Sequence, residues 1–281
     1  MPLTLASNII SLAVQRGINK TSQALGQSYL RLSTGLRVNS AGDDPSGIGI
    51  AARMTAKIGG LAQASKNVND GISLTQIADT ALSETVNSLQ RIRDLAVAAK
   101  SSTASSGDRA SMQTEVNLMI SEINRLASTT KFNGYTIISS TTRYFSFQIG
   151  PDQGNTLLMT VKGASVGTLG LGTNGTSAVV SGAAAPTYAS KTILLVDSAL
   201  DSVSSIRATL GGAQTRFLSI INQINGMSDA YTSAKSSIMD ANVASETANL
   251  TRNNILQQAG IAVLAQANLQ PQTLLQLLRN P

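Results

Sequence analysis

The residues that could carry enzymatic chemistry are few in this sequence. The 281-residue chain contains no Cys, no His and no Trp, and only 13% of its residues are charged. Without Cys or His the chain lacks the commonest nucleophile, general base and zinc ligands, so catalysis would have to rest on carboxylates, Lys, Tyr or Ser alone. The composition therefore predicts that the chain is not an enzyme and binds neither a metal nor a cofactor.

Two short motifs resemble known chemical sites. Asp43 and Asp44 form the only adjacent acid pair. A glycosidase holds its two carboxylates roughly 5 to 10 Å apart across a cleft, which neighbouring residues rarely do, so we interpret the pair as a turn and a helix N-cap. Residues 170–175 match G-x-G-x-x-G, but no alternation of strands and helices surrounds them. We therefore predict a glycine-rich loop there.

The net charge of +6 comes from 21 Lys and Arg against 15 Asp and Glu. Four of these net charges lie in residues 1–42, which hold no acid; the basic residues there are Arg16, Lys20, Arg31 and Arg37. No two basic residues are consecutive, and basic residues do not alternate with aromatic ones as a platform for single-stranded nucleic acid requires. The pattern argues against nucleic-acid binding.

The first residues carry no targeting segment of the usual kind. They lack the basic region that precedes the apolar stretch of a cleaved secretory signal. No window of the chain approaches the roughly 18 to 20 apolar residues of a membrane-spanning helix. We therefore expect no membrane insertion, and a chain that is either cytoplasmic or exported without a cleaved signal.

Helical periodicity dominates both ends of the chain, where apolar residues recur every three or four positions. The clearest stripe covers residues 196–238 and predicts a helix about 60 Å long at about 1.5 Å per residue. A second stripe covers residues 54–89. A shorter one, at 112–123, follows Asp108, which we expect to cap that helix. Helices of this length need partner helices along them.

A small β region follows the shorter helix. Asn133-Gly134 is a turn signal, and aromatic and β-branched residues at 135–139, 143–149 and 156–161 predict short strands. Residues 163–186 are almost wholly Gly, Ala, Ser, Thr and Val, without charge. This composition predicts a loop or small hairpin that projects from the body of the protein.

The sequence therefore predicts a mainly α fold with a small β region. Its core is a long coiled coil or helical bundle with β-hairpins, and both termini are helical and paired. Gly59-Gly60 and Gly211-Gly212 interrupt two of the stripes, which leaves close helix packing and a bend in a long rod equally open. Amphipathic termini of matched length most simply pack on each other or on copies of the same chain, as in an assembly component.

Five segments carry a resemblance to a known family. They are residues 32–53 (LSTGLRVNSAGDDPSGIGIAAR), 67–79 (NVNDGISLTQIAD), 108–115 (DRASMQTE), 130–134 (TKFNG) and 266–272 (QANLQPQ). In this combination the chain resembles bacterial flagellin, the subunit of the flagellar filament. The resemblance covers roughly residues 1–160 and 190–281.

The resemblance implies a structural protein that polymerises with other copies of itself into the flagellar filament used for swimming. It implies export of the unfolded chain by the flagellar type III apparatus, with an export chaperone as a partner. Growth would occur at the distal tip, with flagellar cap and hook-junction proteins as further partners. The protein would then be secreted and extracellular, as part of the bacterial flagellum.

The resemblance also implies a division into domains. Residues 1–43 and 239–281 would form an inner coiled-coil domain lining the filament lumen, and residues 44–162 and 190–238 a core domain of helices and β-hairpins. Residues 163–189 would be a short surface loop or hairpin in place of outer domains. The polymerisation helices would carry the apolar residues Leu5, Ile9, Leu12, Leu25, Leu32, Leu264, Leu274, Leu275 and Leu278.

The resemblance further implies a host receptor, Toll-like receptor 5. From residue pattern alone, Arg91 belongs to a solvated helix face. In flagellins a Gln-Arg pair and a Leu on the core helix contact the receptor, and Gln90, Arg91 and Leu95 fit that pattern, with Glu115 as a supporting acid. An Arg that becomes desolvated in an interface can dominate the binding energy.

Two alternatives to a filament subunit stay open. A hook-filament junction protein has flagellin-like ends, although the segment at 40–47 (SAGDDPSG) and the C-terminal match favour flagellin. In another class, the chain could be a cytosolic coiled-coil adaptor. Electron microscopy after seeded polymerisation separates these hypotheses, since only a filament subunit grows into tubes with a lumen.

Overall fold

A computed structural model describes residues 8–172, 178–182 and 185–279, with residues 185 and 270–279 described by their helical backbone alone. It confirms a mainly α fold with a small β region. In chain order the elements are α1 (Ile9–Thr34), α2 (Pro45–Lys100), α3 (Ser106–Thr129), β1 (Lys131–Phe132), β2 (Tyr135–Thr136), β3 (Arg143–Gln148), β4 (Thr156–Val161), α4 (Ala185–Met239) and α5 (Val243–Arg279).

The chain divides into two compact units. The terminal unit comprises Met1–Ala56 and Ala230–Pro281, and the central unit comprises Lys57–Asp229. These divisions fall within α2 and α4, whereas the boundaries expected from the sequence, at 43 and 239, lie at helix ends. Each unit therefore contains part of each of the two longest helices.

Local capping fixes where α2 and α3 begin. The Asp44 carboxylate accepts a hydrogen bond from the Gly47 N–H at 2.8 Å, and Pro45 occupies the first helical position, where a missing N–H costs nothing. This confirms the predicted N-cap. For α3 the cap is Ser105, and Asp108 is its reciprocal partner three residues later in a capping box. The prediction that Asp108 is itself the cap was therefore wrong, because the cap lies three residues earlier, at Ser105.

The two long helices continue through their glycine pairs without interruption. A Cβ at Gly60 would lie 2.8 Å from Pro151 Cβ, so this glycine allows the β3–β4 loop to approach α2 closely. A Cβ at Gly59, Gly211 or Gly212 would meet open space. Close packing therefore explains Gly60, and α2 and α4 both continue as helices through their glycine pairs.

The four strands of the described residues form two separate antiparallel hairpins; β2, β3 and β4 lie within the predicted segments, whereas β1 was not predicted. Phe132 pairs with Tyr135 across Asn133-Gly134, whose φ angles of 46° and 83° fit a type I′ turn. β3 and β4 pair from Arg143↔Val161 to Gln148↔Thr156. The side chains of β4 that face the core are Leu157, Met159 and Val161, all buried.

The described parts of the segment after β4, residues 162–172 and 178–182, pack against the body, so the prediction of a projecting loop was wrong for these residues. The small apolar side chains of this segment are buried, namely Ala164, Val166, Leu169, Leu171, Ala178 and Val180. The Gln113 side chain of α3 accepts from the Val180 N–H and donates to the Ala178 carbonyl, so these two backbone groups are satisfied without a strand partner. Helix α4 begins at 185, before the predicted start of the helical core at 190.

The G-x-G-x-x-G match lies in this segment. Gly170 and Gly172 adopt positive φ angles of 74° and 96° in a turn, and Gly175 lies outside the described residues. The described strands are antiparallel and form no βαβ unit. The prediction of a glycine-rich loop agrees with this geometry at Gly170 and Gly172.

Candidate assembly surface

Helices α1 and α5 of the terminal unit pair in an antiparallel arrangement. At one end, the Asn8 side chain caps α1 and also donates to the Ala267 carbonyl at 2.8 Å. Beside it, the Ser11 hydroxyl hydrogen-bonds the Asn268 side chain at 2.9 Å. Because the first residues of α1 contact the last described side chains of α5, the two helices run in opposite directions.

The contact between the two helices follows a heptad repeat, with steps of three and four residues. The heptad positions on α1 are Ser11, Val14, Ile18, Thr21, Leu25, Ser28 and Leu32, and those on α5 are Glu246, Leu250, Asn253, Gln257, Gly260, Leu264 and Ala267; all of them are buried or half-buried. We call these positions the seam. Half of them are polar or lack a side chain, so the seam buries little apolar surface for its length.

Gly260 provides the closest approach in the seam. A Cβ at this position would lie 2.9 Å from Ile18 Cγ1. The Ile18 side chain therefore occupies the space that any larger residue at 260 would need. The glycine here allows the two backbones to come together.

A charged group is buried at the other end of the seam. Glu246 is only 8% exposed; it accepts from the Ser28 hydroxyl at 2.6 Å and lies 3.8 Å from the Arg31 guanidinium. A buried carboxylate persists only when it is paired and hydrogen-bonded. The Arg31 Nε atom is buried without a hydrogen-bond partner in the described part of the chain.

Backbone contacts join the segments that flank the helix pair. The Ala241 N–H donates to the Gly35 carbonyl at 2.9 Å, and the Arg37 N–H donates to the Met239 carbonyl. The Arg37 side chain also donates to the Ile238 carbonyl. A cation at the last carbonyls of α4 interacts favourably with the helix dipole.

Many of the large apolar side chains of the helix pair lie outside the seam and are exposed. Ile9 is 61% exposed and Leu12 is 54% exposed. Further exposed residues of this kind are Ile10, Tyr29, Leu30, Val243, Ile255, Leu256, Ile261, Val263 and Leu269. Extended exposed apolar surface on a soluble protein marks an interaction site.

The residues expected to drive polymerisation divide into three groups. Leu25, Leu32 and Leu264 lie in the seam, half-buried. Ile9 and Leu12 lie on the exposed face of α1. Leu5 and the side chains of Leu274, Leu275 and Leu278 lie outside the described residues.

The acids of the terminal unit are all engaged within it. Asp43 accepts from the Asn39 and Ser40 N–H groups, which hold its pKa below the ordinary value. Asp44 caps α2 and Glu246 is buried in the seam, while Asp240 accepts from a serine hydroxyl. Eight basic residues against these four acids give the terminal unit a formal charge of +4.

A second candidate surface lies on α2 and α3 in the central unit. Arg91 Nε and Glu115 Oε1 are 2.7 Å apart, and hydrogen bonding to Glu115 raises the pKa of Arg91. Gln90 and Arg91 are exposed. Leu95, in contrast, is only 7% exposed. The structure therefore joins Arg91 to Glu115, leaves Gln90 exposed and buries Leu95.

Arg93, two residues after Arg91, is not simply a solvated residue of the helix face. It bonds Asp197 of α4 at 2.7 Å, a partner 104 residues away in the sequence. Arg207 of α4 likewise makes two hydrogen bonds to Asp79 of α2. Such partners on distant elements leave no local signal in the sequence.

The described residues contain no group of three or more His, Cys, Asp or Glu side chains placed to hold a metal ion. Among the same residues, none of the helices has both the length and the apolar character needed to cross a membrane.

Comparisons with known proteins match most of the chain. The family described as bacterial flagellin N-terminal helical region matches residues 5–142, and the corresponding C-terminal helical region matches residues 193–278. Flagellin of Halalkalibacterium halodurans is 38% identical over 249 residues, covering 89% of this chain and 90% of that one. Flagellin of Bacillus subtilis is 35% identical and covers 97% and 98%. The crystal structure of Bacillus cereus flagellin is 27% identical, with a TM-score of 0.48 over 57% of this chain and 88% of that chain.

Proposed function

The chain belongs to the bacterial flagellin family, and from that premise we propose that it assembles into the flagellar filament through the exposed surface of its α1 and α5 pair. It is a short-form flagellin, and therefore a structural protein of the filament used for swimming, not an enzyme.

One observation carries this proposal: the terminal helices hold polar residues or glycine at half of their seam positions, while many of their large apolar residues are exposed outside it. A pair of this kind gains little from its internal contact, so covering the outer face by other copies would supply most of its stabilisation. A head-to-tail contact that does not close on itself grows a helical polymer. Ordering of the helix pair would accompany assembly.

We place the terminal helices in the inner tube around the lumen and the central unit in the surrounding shell. The packed segment after β4 then stands where larger flagellins carry outer domains. The chain would be secreted unfolded without a cleaved signal, with the export apparatus, its chaperone, the cap and the hook-junction proteins as partners. A chain without Cys forms no disulfide that would oppose such export.

Seeded polymerisation followed by electron microscopy tests the role in the filament. We expect straight or supercoiled tubes with a lumen, and we expect removal of residues 1–42 or of residues 240–281 to abolish growth while the central unit stays folded. Persistent monomers of the full chain would contradict the proposal, and growth after either truncation would contradict the role of the paired ends. Binding to filament ends without elongation would favour a hook-junction protein.

Toll-like receptor 5 is a second proposed partner, supported by the exposed Arg91 beside Glu115. The Arg91→Ala variant should lower the signalling potency of the monomer by about tenfold or more, since an interface Arg can be worth over 1 kcal/mol. Arg125→Ala is the matched control, because Arg125 is equally exposed and forms an ion pair with Glu122 on α3. Equal potency of Arg91→Ala and the control in receptor-reporter cells would overturn the proposal.

A further inference from the structure

The chain contains three Asn-Gly dipeptides in three different settings. Asn133-Gly134 forms the turn between β1 and β2, Asn225-Gly226 lies inside α4, and Asn174-Gly175 lies outside the described residues. In an Asn-Gly pair, the backbone nitrogen of Gly can attack the Asn side-chain amide with little steric hindrance, because Gly has no Cβ. Whether it does so depends on the freedom of the backbone at that point.

The turn at Asn133 leaves that backbone accessible. Both turn residues are exposed, and the Gly134 N–H makes no hydrogen bond within the described part of the chain. The hairpin has only two pairs, Lys131↔Thr136 and Phe132↔Tyr135. The base of the hairpin is anchored, because the Ile137 N–H donates to the Thr130 carbonyl and Ile137 is buried. Its tip is a two-stranded ribbon with exposed turn residues, and a ribbon this short is marginally stable, so the turn opens locally at low free-energy cost.

The same dipeptide in α4 is restrained by its helix. The helical N–H of Gly226 donates to the carbonyl four residues earlier, which occupies the nitrogen that would have to react. The neighbouring residues Ile220 and Ile224 are buried. Freeing Gly226 therefore requires local unfolding of a 55-residue helix together with its packing.

We propose that Asn133 is a site of spontaneous deamidation, whereas Asn225 is protected from it. The Gly134 nitrogen loses its proton and bonds to Asn133 Cγ, the bond from Cγ to Nδ2 breaks, and the amide leaves as ammonia with that proton. Water then opens the resulting succinimide at either carbonyl and gives aspartate or isoaspartate. No reactant other than water is consumed.

The product changes the hairpin in two ways. A carboxylate replaces a neutral amide, so the formal net charge falls from +6 to +5. In isoaspartate the main chain runs through the former side chain and gains one carbon. A type I′ turn joins its strands with two residues of fixed geometry, so the longer link disrupts the pairing of Phe132 with Tyr135. Older copies of the protein would thus carry a permanent change at an exposed turn.

Peptide mapping by mass spectrometry tests the proposal on the intact protein. The native chain and a sample in concentrated urea are incubated at mildly alkaline pH, and the mass increase of one unit is followed at each Asn over time. In the native chain we expect deamidation at Asn133 to be about tenfold faster than at Asn225 or more, and in urea we expect the two rates to agree within about twofold, because only the fold separates them. Similar native rates at the two sites, or native protection of Asn133 despite reaction in urea, would overturn the proposal.

A variant identifies the reactive residue by charge. Asn133→Gln forms the cyclic intermediate poorly, so isoelectric focusing of the aged variant should lack the acidic species produced by Asn133. Asn225→Gln is the matched control and should leave that species unchanged. If the aged Asn133→Gln variant contained as much of the acidic species as the aged parent chain, the assignment would be contradicted, whatever the outcome of the polymerisation tests.

Discussion

At the scale of single residues, Gly71 lies where α2 meets the buried ring of Phe217. A Cβ at this position would lie 2.7 Å from Phe217 Cζ, and that ring stands edge-on to Phe147 with centroids 5.3 Å apart. The Gly71→Ala variant should lower the free energy of unfolding by about 1–3 kcal/mol in urea denaturation, since a packed aromatic pair would have to move.

Gly212 gives the matched control for this substitution. It also lies in a long helix, but an added Cβ meets open space. The Gly212→Ala variant should therefore raise the free energy of unfolding by about 0.5–1 kcal/mol through helix propensity and a less flexible unfolded chain. A Gly71→Ala variant as stable as Gly212→Ala would show that the ring yields without cost.

Asp108 couples the start of α3 to pH. The hydroxyl and the backbone N–H of Ser105 donate to its carboxylate and hold the pKa of Asp108 below the ordinary value. Because the pKa is lower in the folded chain, this contribution to stability is fully present above the ordinary pKa of Asp, about 3.9, and is lost as pH falls through the lowered value.

The Ser105→Ala variant should raise the pKa of Asp108 towards the ordinary value, because the donating hydroxyl is removed. NMR titration of the side-chain carboxyl carbons measures this shift. Glu122 is the internal control, since its lowered pKa comes from Arg125 and should not change. An unchanged pKa of Asp108 in the variant would contradict the role of the hydroxyl.

Residue roles that depend on neighbours in sequence could be predicted, and those that depend on distant elements could not. Capping by Asp44 follows from the acid and the proline after it, both within one helical turn. The burial of Leu95 depends on the elements packed against α2, and the partner of Arg93 is 104 residues away. No local pattern contains either fact.

At the scale of elements, periodicity was sufficient for the long helices, and the matched amphipathic ends were sufficient to predict that the two termini pair. The apolar stripe at 196–238 predicts α4 because an apolar repeat of three and four residues, sustained over many turns, is specific to a long amphipathic helix. The individual seam positions of α1 and α5 could not be predicted in this way, because many of them hold Ser, Thr, Asn or Gln. The segment after β4 was misjudged because side chains as small as Ala164 and Ala178 carry little hydrophobic signal, although the fold buries them.

The close packing of the seam predicts that a larger side chain at position 260 separates the two helices. A leucine there would collide with Ile18, whose Cγ1 is already 2.9 Å from the position of a Cβ. The Gly260→Leu variant should separate α1 from α5 and prevent filament growth, as followed by light scattering and electron microscopy. Gly212→Leu is the control, because Gly212 lies in α4 within the central unit and an added Cβ there meets open space. Normal filaments from Gly260→Leu would refute the close approach in the seam.

At the scale of the whole molecule, charge is distributed unevenly between the two units. The terminal unit carries +4 of the total +6, and its four acids already bond to groups within the unit. The sequence could predict this excess of charge but not the engagement of the acids, which requires the fold. Copies that approach through their terminal units therefore repel one another, and no free side-chain carboxylate in the described part of these units offsets the repulsion.

Salt should consequently accelerate filament growth. The Debye length falls from about 30 Å at 0.01 M to about 10 Å at 0.1 M ionic strength, so the repulsion between terminal units weakens over that range. The growth rate measured from seeds should rise with added salt, and the rise should be smaller in the double variant Arg16→Gln with Lys20→Gln. Lys66→Gln with Lys191→Gln removes the same charge from exposed positions of the central unit and should keep the salt dependence of the parent chain. An equal loss of salt dependence in both double variants would mean that total charge, rather than charge on the helix pair, opposes assembly.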